Sequence, residues 1–132
     1  MNKDIAKVIQ ESTFKIQIGR FVYVMVSKIP MPENHFMISK DEDEITVVTK
    51  EENLGVLDLI EKNKDFYTLI SLNVSVPFYS VGFLATVSEA IAKSGMNILI
   101  ISTYSKDYIL VRDDCTDKAK NVLLELGFKE KK

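Results

Sequence analysis

The sequence is poor in the residues on which many functions depend. Its 132 residues include one cysteine, one histidine and no tryptophan. A single cysteine cannot form a disulfide within the chain, which fits a reducing compartment, so we expect a cytoplasmic protein. His35 has no second histidine or cysteine near it in the sequence, and we therefore predict no metal site.

The sequence also has no excess of positive charge and no long apolar run. The formal net charge is −2, whereas binding to phosphate backbones requires a clear basic excess. No apolar run approaches the roughly 20 residues that span a bilayer, and the N-terminal segment is too polar for a signal peptide. We expect neither nucleic acid nor a membrane as a partner.

Motifs for catalysis and cofactor binding are missing as well. No phosphate-binding loop and no dinucleotide glycine motif occurs, so no cofactor is predicted. Cys115 has no histidine beside it in the sequence, and the acidic run 41–44 lacks the spacing and the glycine of a calcium loop. The sequence indicates binding rather than catalysis, and no catalytic residue is predicted.

The pattern of apolar residues is clearest in the second half of the chain. Alternation of apolar and polar residues predicts a strand that Pro77 ends, and a 3.6-residue period predicts two helices. A tight turn at Ser105-Lys106 joins two further strands, and Thr116 is expected to cap the last helix. The predicted elements are a strand at 70–76, a helix at 82–94, strands at 96–101 and after the turn up to Val111, a helix between the cap Thr116 and Gly127, and a short strand at 128–131.

This order of strand, helix, strand, strand and helix is typical of an α+β, ferredoxin-like sandwich. The predicted strand 96–101 is apolar on both of its faces. One face can meet the helices, and the other needs a second lobe or a second copy of the protein. We therefore expect a homodimer.

The first half has a looser pattern. It predicts a short amphipathic helix, two strands, a hairpin with an acidic tip and one or two helical turns, followed by a hydrophilic seam. The helix is expected at 3–10, the two strands at 13–18 and 21–26, and the hairpin at 36–38 and 45–48. The helical turns are expected at 54–60 and the seam at 62–65.

The segment 82–111 resembles the ACT domain. Its most specific part is Ser-Thr-Tyr-x-x-Asp-Tyr-x-Leu-Val at 102–111, which is similar to the small two-lobed ACT-like proteins related to the ACT regions of aspartate kinase and of the cytosolic arginine sensors. The resemblance is good from Tyr67 to Phe128 and looser before it. It implies two tandem ACT-like lobes, a degenerate one at 1–64 and a better one at 65–132.

The resemblance implies regulatory binding of a small ligand, often an amino acid, between paired lobes. Backbone N–H groups at a helix start suit a carboxylate, and Gly82 allows close backbone approach. Asp107 could hold an ammonium or guanidinium group. Tyr79 stands where many amino-acid-binding ACT domains have an acidic residue. The implied ligand-binding residues are Tyr79, Ser80, Val81, Gly82, Phe83, Ser102, Thr103, Tyr104 and Asp107.

Two alternatives remain open at this point. The first is an ACT-like module that binds no ligand and only dimerises. The second is a small enzyme in which Asp107 forms an acid–base pair with Tyr104 or Tyr108. Asp107 is also an ordinary residue for a hairpin turn, because its carboxylate can accept hydrogen bonds from the local backbone.

Overall fold

The computed structural model describes residues 3–76 and 80–132. These residues form helices α1–α3 and strands β1–β9, with 3₁₀ turns at Glu51–Val56 and Asp113–Cys115. In chain order the helices and strands are α1 (Lys3–Gln10), β1 (Thr13–Ile16), β2 (Phe21–Val26), β3 (His35–Lys40), β4 (Ile45–Lys50), β5 (Leu59–Lys62), β6 (Tyr67–Asn73), α2 (Phe83–Lys93), β7 (Leu99–Ser102), β8 (Asp107–Arg112), α3 (Thr116–Leu126) and β9 (Lys129–Glu130).

The chain divides into two compact units. The first unit joins the chain up to Gln17 with Thr68–Lys132, and the second unit is Ile18–Tyr67. The units differ from the lobes expected at 1–64 and 65–132, because α1 and β1 pack with the second half of the chain. The extent of the two ACT-like lobes stays a prediction.

The first unit has the expected α+β, ferredoxin-like order β6-α2-β7-β8-α3-β9. In its sheet the strands follow the order β7-β8-β6-β1-β9. Strand β1 runs antiparallel to β6 and parallel to β9, with Phe14 opposite Leu72 and next to Glu130. A strand from the start of the chain thus lies between the first and last strands of the second half.

The core of the first unit lies between this sheet and the three helices. Each helix buries the apolar residues that recur on one of its faces, as a 3.6-residue period requires. Phe128 links the two layers, since its ring packs edge-on against Phe14 at 6.4 Å and against Phe83 at 5.8 Å between centroids. The buried residues from the helices are Ile5 and Ile9; Phe83, Val87 and Ile91; and Ala119, Val122 and Leu123.

In the second unit the strand order is β3-β4-β2-β5. Its core contains Val22, Val24 and Val26 of β2 together with Val47 of β4, all buried. The acidic tip of the β3–β4 hairpin is a turn, in which Asp41 Oδ1 accepts the backbone N–H groups at positions 43 and 44. This is the local bonding that an aspartate favours in turns.

Several predicted elements have different bounds in the structure. Strand β1 ends at Ile16, and Ile18 is 85% exposed. Strand β6 covers 67–73 instead of 70–76, and β7 covers 99–102 instead of 96–101. In each case pairing with a neighbouring strand decides where the strand ends, and this pairing is not visible in the alternation of residues along one segment.

Two local predictions need correction. The helical turns expected at 54–60 are present as a 3₁₀ turn at Glu51–Val56, whereas Leu59 and Ile60 belong to strand β5, which forms because β2 offers it a pairing edge. Thr116 does not cap α3 from outside, since it is the first residue of that helix. Its hydroxyl lies 2.6 Å from that of Thr68 and donates to the Asp113 carbonyl oxygen at 2.9 Å.

We expect Phe14→Ala to destabilise the protein by about 3–5 kcal/mol, because it removes a fully buried ring from the core of the first unit. Urea denaturation measures this change. The control is Ile18→Ala at an exposed site of the same segment, with an expected change within about 0.5 kcal/mol. Equal midpoints for the two variants would contradict the place of β1 in this core.

Candidate functional site

A cavity of about 430 Å³ lies in the first unit, between the start of α2 and the turn that joins β7 to β8. It falls within the range of roughly 300–1,000 Å³ that is usual for small-molecule sites. Its lining residues are Val74, Val76, Ser80, Gly82, Phe83, Leu84, Ala85, Ser102, Thr103, Tyr104, Ser105, Lys106 and Asp107.

The cavity brings together most of the residues that were expected to bind a ligand. Val81 is an exception, since it is 91% exposed and is not among the lining residues. Tyr79 lies outside the described residues. The cavity also includes residues that were not predicted, and these are Val74, Val76, Leu84, Ala85, Ser105 and Lys106.

The start of α2 forms one wall of the cavity. Gly82 precedes the helix with a φ of 86°, a left-handed conformation that glycine adopts without steric cost. Its carbonyl oxygen accepts both the backbone N–H and the hydroxyl of Thr86, at 2.9 and 2.8 Å. No side chain among the described residues caps this helix. The Phe83 N–H donates to the Ser80 carbonyl oxygen at 3.1 Å, so the N–H groups of Leu84 and Ala85, which line the cavity, are the ones that suit a bound anion.

The turn between β7 and β8 forms the opposite wall. The Ser102 hydroxyl donates to Asp107 Oδ1 at 2.7 Å, across the pair of residues that closes the hairpin. The Thr103 backbone N–H donates to the Lys106 carbonyl oxygen at 2.9 Å, and its hydroxyl donates to the same oxygen at 3.3 Å. These bonds hold the Asp107 carboxylate at the edge of the cavity, where further acceptor positions remain on its two oxygens.

The apolar part of the lining comes from two segments. Val74 and Val76 follow the end of β6, and Leu84 and Ala85 belong to the first turn of α2. Phe83 is 3% exposed and packs into the core as well. The alternation at 70–76 already indicated one buried face, so Val74 and Val76 could have been included with the helix start.

Two charged side chains lie within the described lining of the cavity, the cation of Lys106 and the carboxylate of Asp107. They are adjacent in sequence. The cavity thus offers a cationic group, an acidic group and the partial positive charge of a helix start.

Residues considered for catalysis lie elsewhere or are strongly exposed. Tyr104 lines the cavity but is 86% exposed, and Tyr108 is not among the lining residues. Burial raises the pKa of the Cys115 thiol, and a hydrogen bond to Asp114 raises this pKa further. A raised pKa leaves less of the thiol as the reactive thiolate at neutral pH.

His35 belongs to a hydrogen-bond network in the second unit. Its Nδ1 lies 2.9 Å from the hydroxyl oxygen of the buried Thr49, which in turn donates to the Asn34 carbonyl oxygen. Within residues 3–76 and 80–132, no group of three or more His, Cys, Asp or Glu side chains is placed to hold a metal ion. No helix in this part of the chain has the length and apolar character needed to cross a membrane.

Comparison with known proteins identifies the class of the second half of the chain. Residues 63–125 match the family model of the ACT domain. The resemblance predicted from residues 82–111 is therefore confirmed. A search of curated proteins found no match for the chain.

Solved structures show the same fold over nearly the whole chain. A protein of unknown function from Vibrio cholerae, described as a possible transport protein, is 20% identical with a TM-score of 0.79, over 95% of this chain and 97% of its own. The regulatory subunit of aspartate kinase from Thermus thermophilus is 11% identical with a TM-score of 0.61, over 86% and 95% of the two chains. Aspartate kinase from Clostridium acetobutylicum is 12% identical with a TM-score of 0.64, over 88% of this chain and 34% of its own. These likenesses confirm the predicted ferredoxin-like, ACT-like fold.

We expect Gly82→Ala to destabilise the protein by about 1–2 kcal/mol, because an L-residue is strained in the left-handed conformation. Space is not the cause, since an added Cβ would come no closer than 3.9 Å to Ile5 Cγ1. Thermal and urea unfolding measure the change. Gly55→Ala is the matched control, because a Cβ there meets nothing within 4 Å. The same loss of stability in both variants would rule out this explanation.

Proposed function

We propose that this protein binds a free amino acid in the cavity beside α2 and serves as a regulatory module without catalytic activity of its own. The observation that carries this proposal is the presence of Lys106, Asp107 and an uncapped helix start around one cavity. A free amino acid carries the complementary pair of charges, a carboxylate and an ammonium group. The ACT domain match and the fold shared with the regulatory subunit of aspartate kinase support a regulatory role.

In this proposal each end of the ligand has a defined partner. The carboxylate accepts hydrogen bonds from the N–H groups in the first turn of α2 and pairs with the Lys106 ammonium group. The ammonium group of the ligand donates to Asp107, which the Ser102 hydroxyl holds in place. Gly82 keeps the wall free of a side chain where the ligand approaches the backbone.

Regulation requires that the ligand binds one arrangement of the protein better than another. We propose that occupancy of the cavity changes how lobes or subunits associate, and that the protein is a homodimer in the cytoplasm. Strand β7 supports association, since β8 is its single partner in the described part of the chain. Its other edge presents backbone N–H and C=O groups that a second strand can pair.

The cavity favours ligand binding over a module that only dimerises. A module that only dimerises does not require a lysine and an aspartate around a cavity of this size. An acid–base enzyme would need Asp107 and a tyrosine to converge in a closed pocket. Tyr104 is 86% exposed and Tyr108 is not among the lining residues, so this second alternative has less support.

A thermal-shift screen of the twenty amino acids tests the proposal. A ligand at 100 times its Kd should stabilise the protein by about 2.7 kcal/mol. We expect Asp107→Asn to keep the bond from Ser102 but to weaken binding about 10- to 100-fold, as loss of a charged hydrogen bond does. Isothermal titration calorimetry measures the affinity.

The control for this variant is Asp43→Asn, which changes an aspartate in the hairpin turn between β3 and β4 and should leave the affinity unchanged. Circular dichroism establishes that both variants are folded. Binding by Asp107→Asn at wild-type affinity, or the failure of every amino acid to stabilise the wild type, would refute the proposed function.

The proposed dimer is tested at the edge of β7. Ile100 is 40% exposed on this strand, and we expect Ile100→Lys to convert a dimer to a monomer because a lysine opposes strand pairing at an edge. Leu124→Lys is the control, since Leu124 is 43% exposed and belongs to helix α3 instead of strand β7. Sedimentation equilibrium gives the mass. A wild-type protein that is monomeric at all concentrations would contradict the proposal.

A further inference from the structure

We infer that the ligand of this cavity is an amino acid with an uncharged, apolar side chain, an inference that rests on the proposed function and narrows it. Three features of the lining carry it. These are the apolar wall, the number of charges and the hydrogen bonds already made by the hydroxyl groups.

The apolar wall is built from two sides. Val74 and Leu84 are half-buried and pack against the core of the first unit, so their positions are fixed by that packing. Val76 is 43% exposed beside them and extends the wall towards solvent. An aliphatic side chain placed between these residues would bury apolar surface on both of its sides.

The two charged side chains of the cavity pair with the two charged ends of the ligand. Lys106 pairs with the carboxylate and Asp107 with the ammonium group, and the described lining contains no further charged side chain. Residues 77–79, which lie outside the described residues, are Pro, Phe and Tyr in the sequence and would add no charge at neutral pH. A charged ligand side chain would therefore lose water without gaining an opposite charge.

Three of the five hydroxyl groups in the described lining donate their hydrogen within the protein. Ser80 donates to the Val76 carbonyl oxygen at 2.6 Å, Ser102 donates to Asp107, and Thr103 donates to the Lys106 carbonyl oxygen. A serine or threonine hydroxyl has one hydrogen to donate. These three groups therefore offer acceptors but no donor to a carboxylate on the ligand side chain, and fewer donors remain in the lining for aspartate or glutamate than its five hydroxyl groups suggest.

Calorimetry with leucine, methionine, valine, lysine, arginine, aspartate and glutamate tests the inference on the unaltered protein. We expect at least one of the three apolar amino acids to bind at least tenfold more tightly than any of the four charged ones. We also expect alanine to bind more weakly than leucine, because removal of methylene groups in an apolar pocket typically costs about 10-fold or more in binding.

A matched pair of variants tests the apolar wall directly. Val76→Asp places a carboxylate in the wall and should weaken binding of the apolar ligand at least tenfold while improving binding of lysine. Val56→Asp introduces the same change at an exposed valine of the second unit and should alter neither affinity. Circular dichroism verifies that both variants keep the wild-type fold.

The outcomes separate this inference from the proposed function. If a charged amino acid binds as tightly as the best apolar one and Asp107→Asn still weakens it, the specificity inferred here is wrong and the proposed function stands. If no amino acid binds, both are refuted. Wild-type affinity of Val76→Asp for the apolar ligand would also overturn the inference, because the wall would then not contact the ligand.

Discussion

The aromatic contact between Phe128 and its two neighbours is the interaction on which the rest of the first unit depends. The Phe128 ring packs edge-on against Phe14 of the sheet and against Phe83, the first residue of α2. Because Phe83 also lines the cavity, the same contact that closes the core sets the position of the helix start. The packing of the core therefore sets the position of the start of α2. Because this helix start forms one wall of the cavity, the same packing determines the shape of the cavity.

The cavity owes its chemical character to a short turn on the opposite side. Residues 102–107 reverse the chain between β7 and β8 and hold a carboxylate through the bond from Ser102 to Asp107. The same turn contributes the lysine. Under the proposed function, a bipolar ligand would meet both of its charged partners on this one hairpin, and the helix would add backbone donors. The fold is shared with proteins of 11–20% identity, so it defines the architecture alone, and the proposed ligand rests on these particular residues.

Local patterns predicted much of the fold, and the resemblance to ACT domains implied most of the candidate site. The amphipathic face of α1 and the apolar run of β2 led to their observed bounds, because residues within a few positions of one another decide such elements. The helical turns predicted at 54–60 are present only up to Val56, because the apolar spacing suits a strand as well and pairing with β2 selects the strand from Leu59. The loop before α2 was expected to bind a ligand, yet Val81 points to solvent while Leu84 and Ala85 line the cavity.

Periodicity predicted the order of elements from β6 to β9, and the similarity of residues 102–111 to ACT domains indicated the family without reference to distant contacts. The three-dimensional arrangement was needed to show that β1 enters the sheet of the second half and that Val74 and Val76 face the start of α2. Such placements depend on hydrogen bonds and packing between residues far apart in the chain. Periodicity records which face of a segment is apolar, but it carries no information about which partner covers that face.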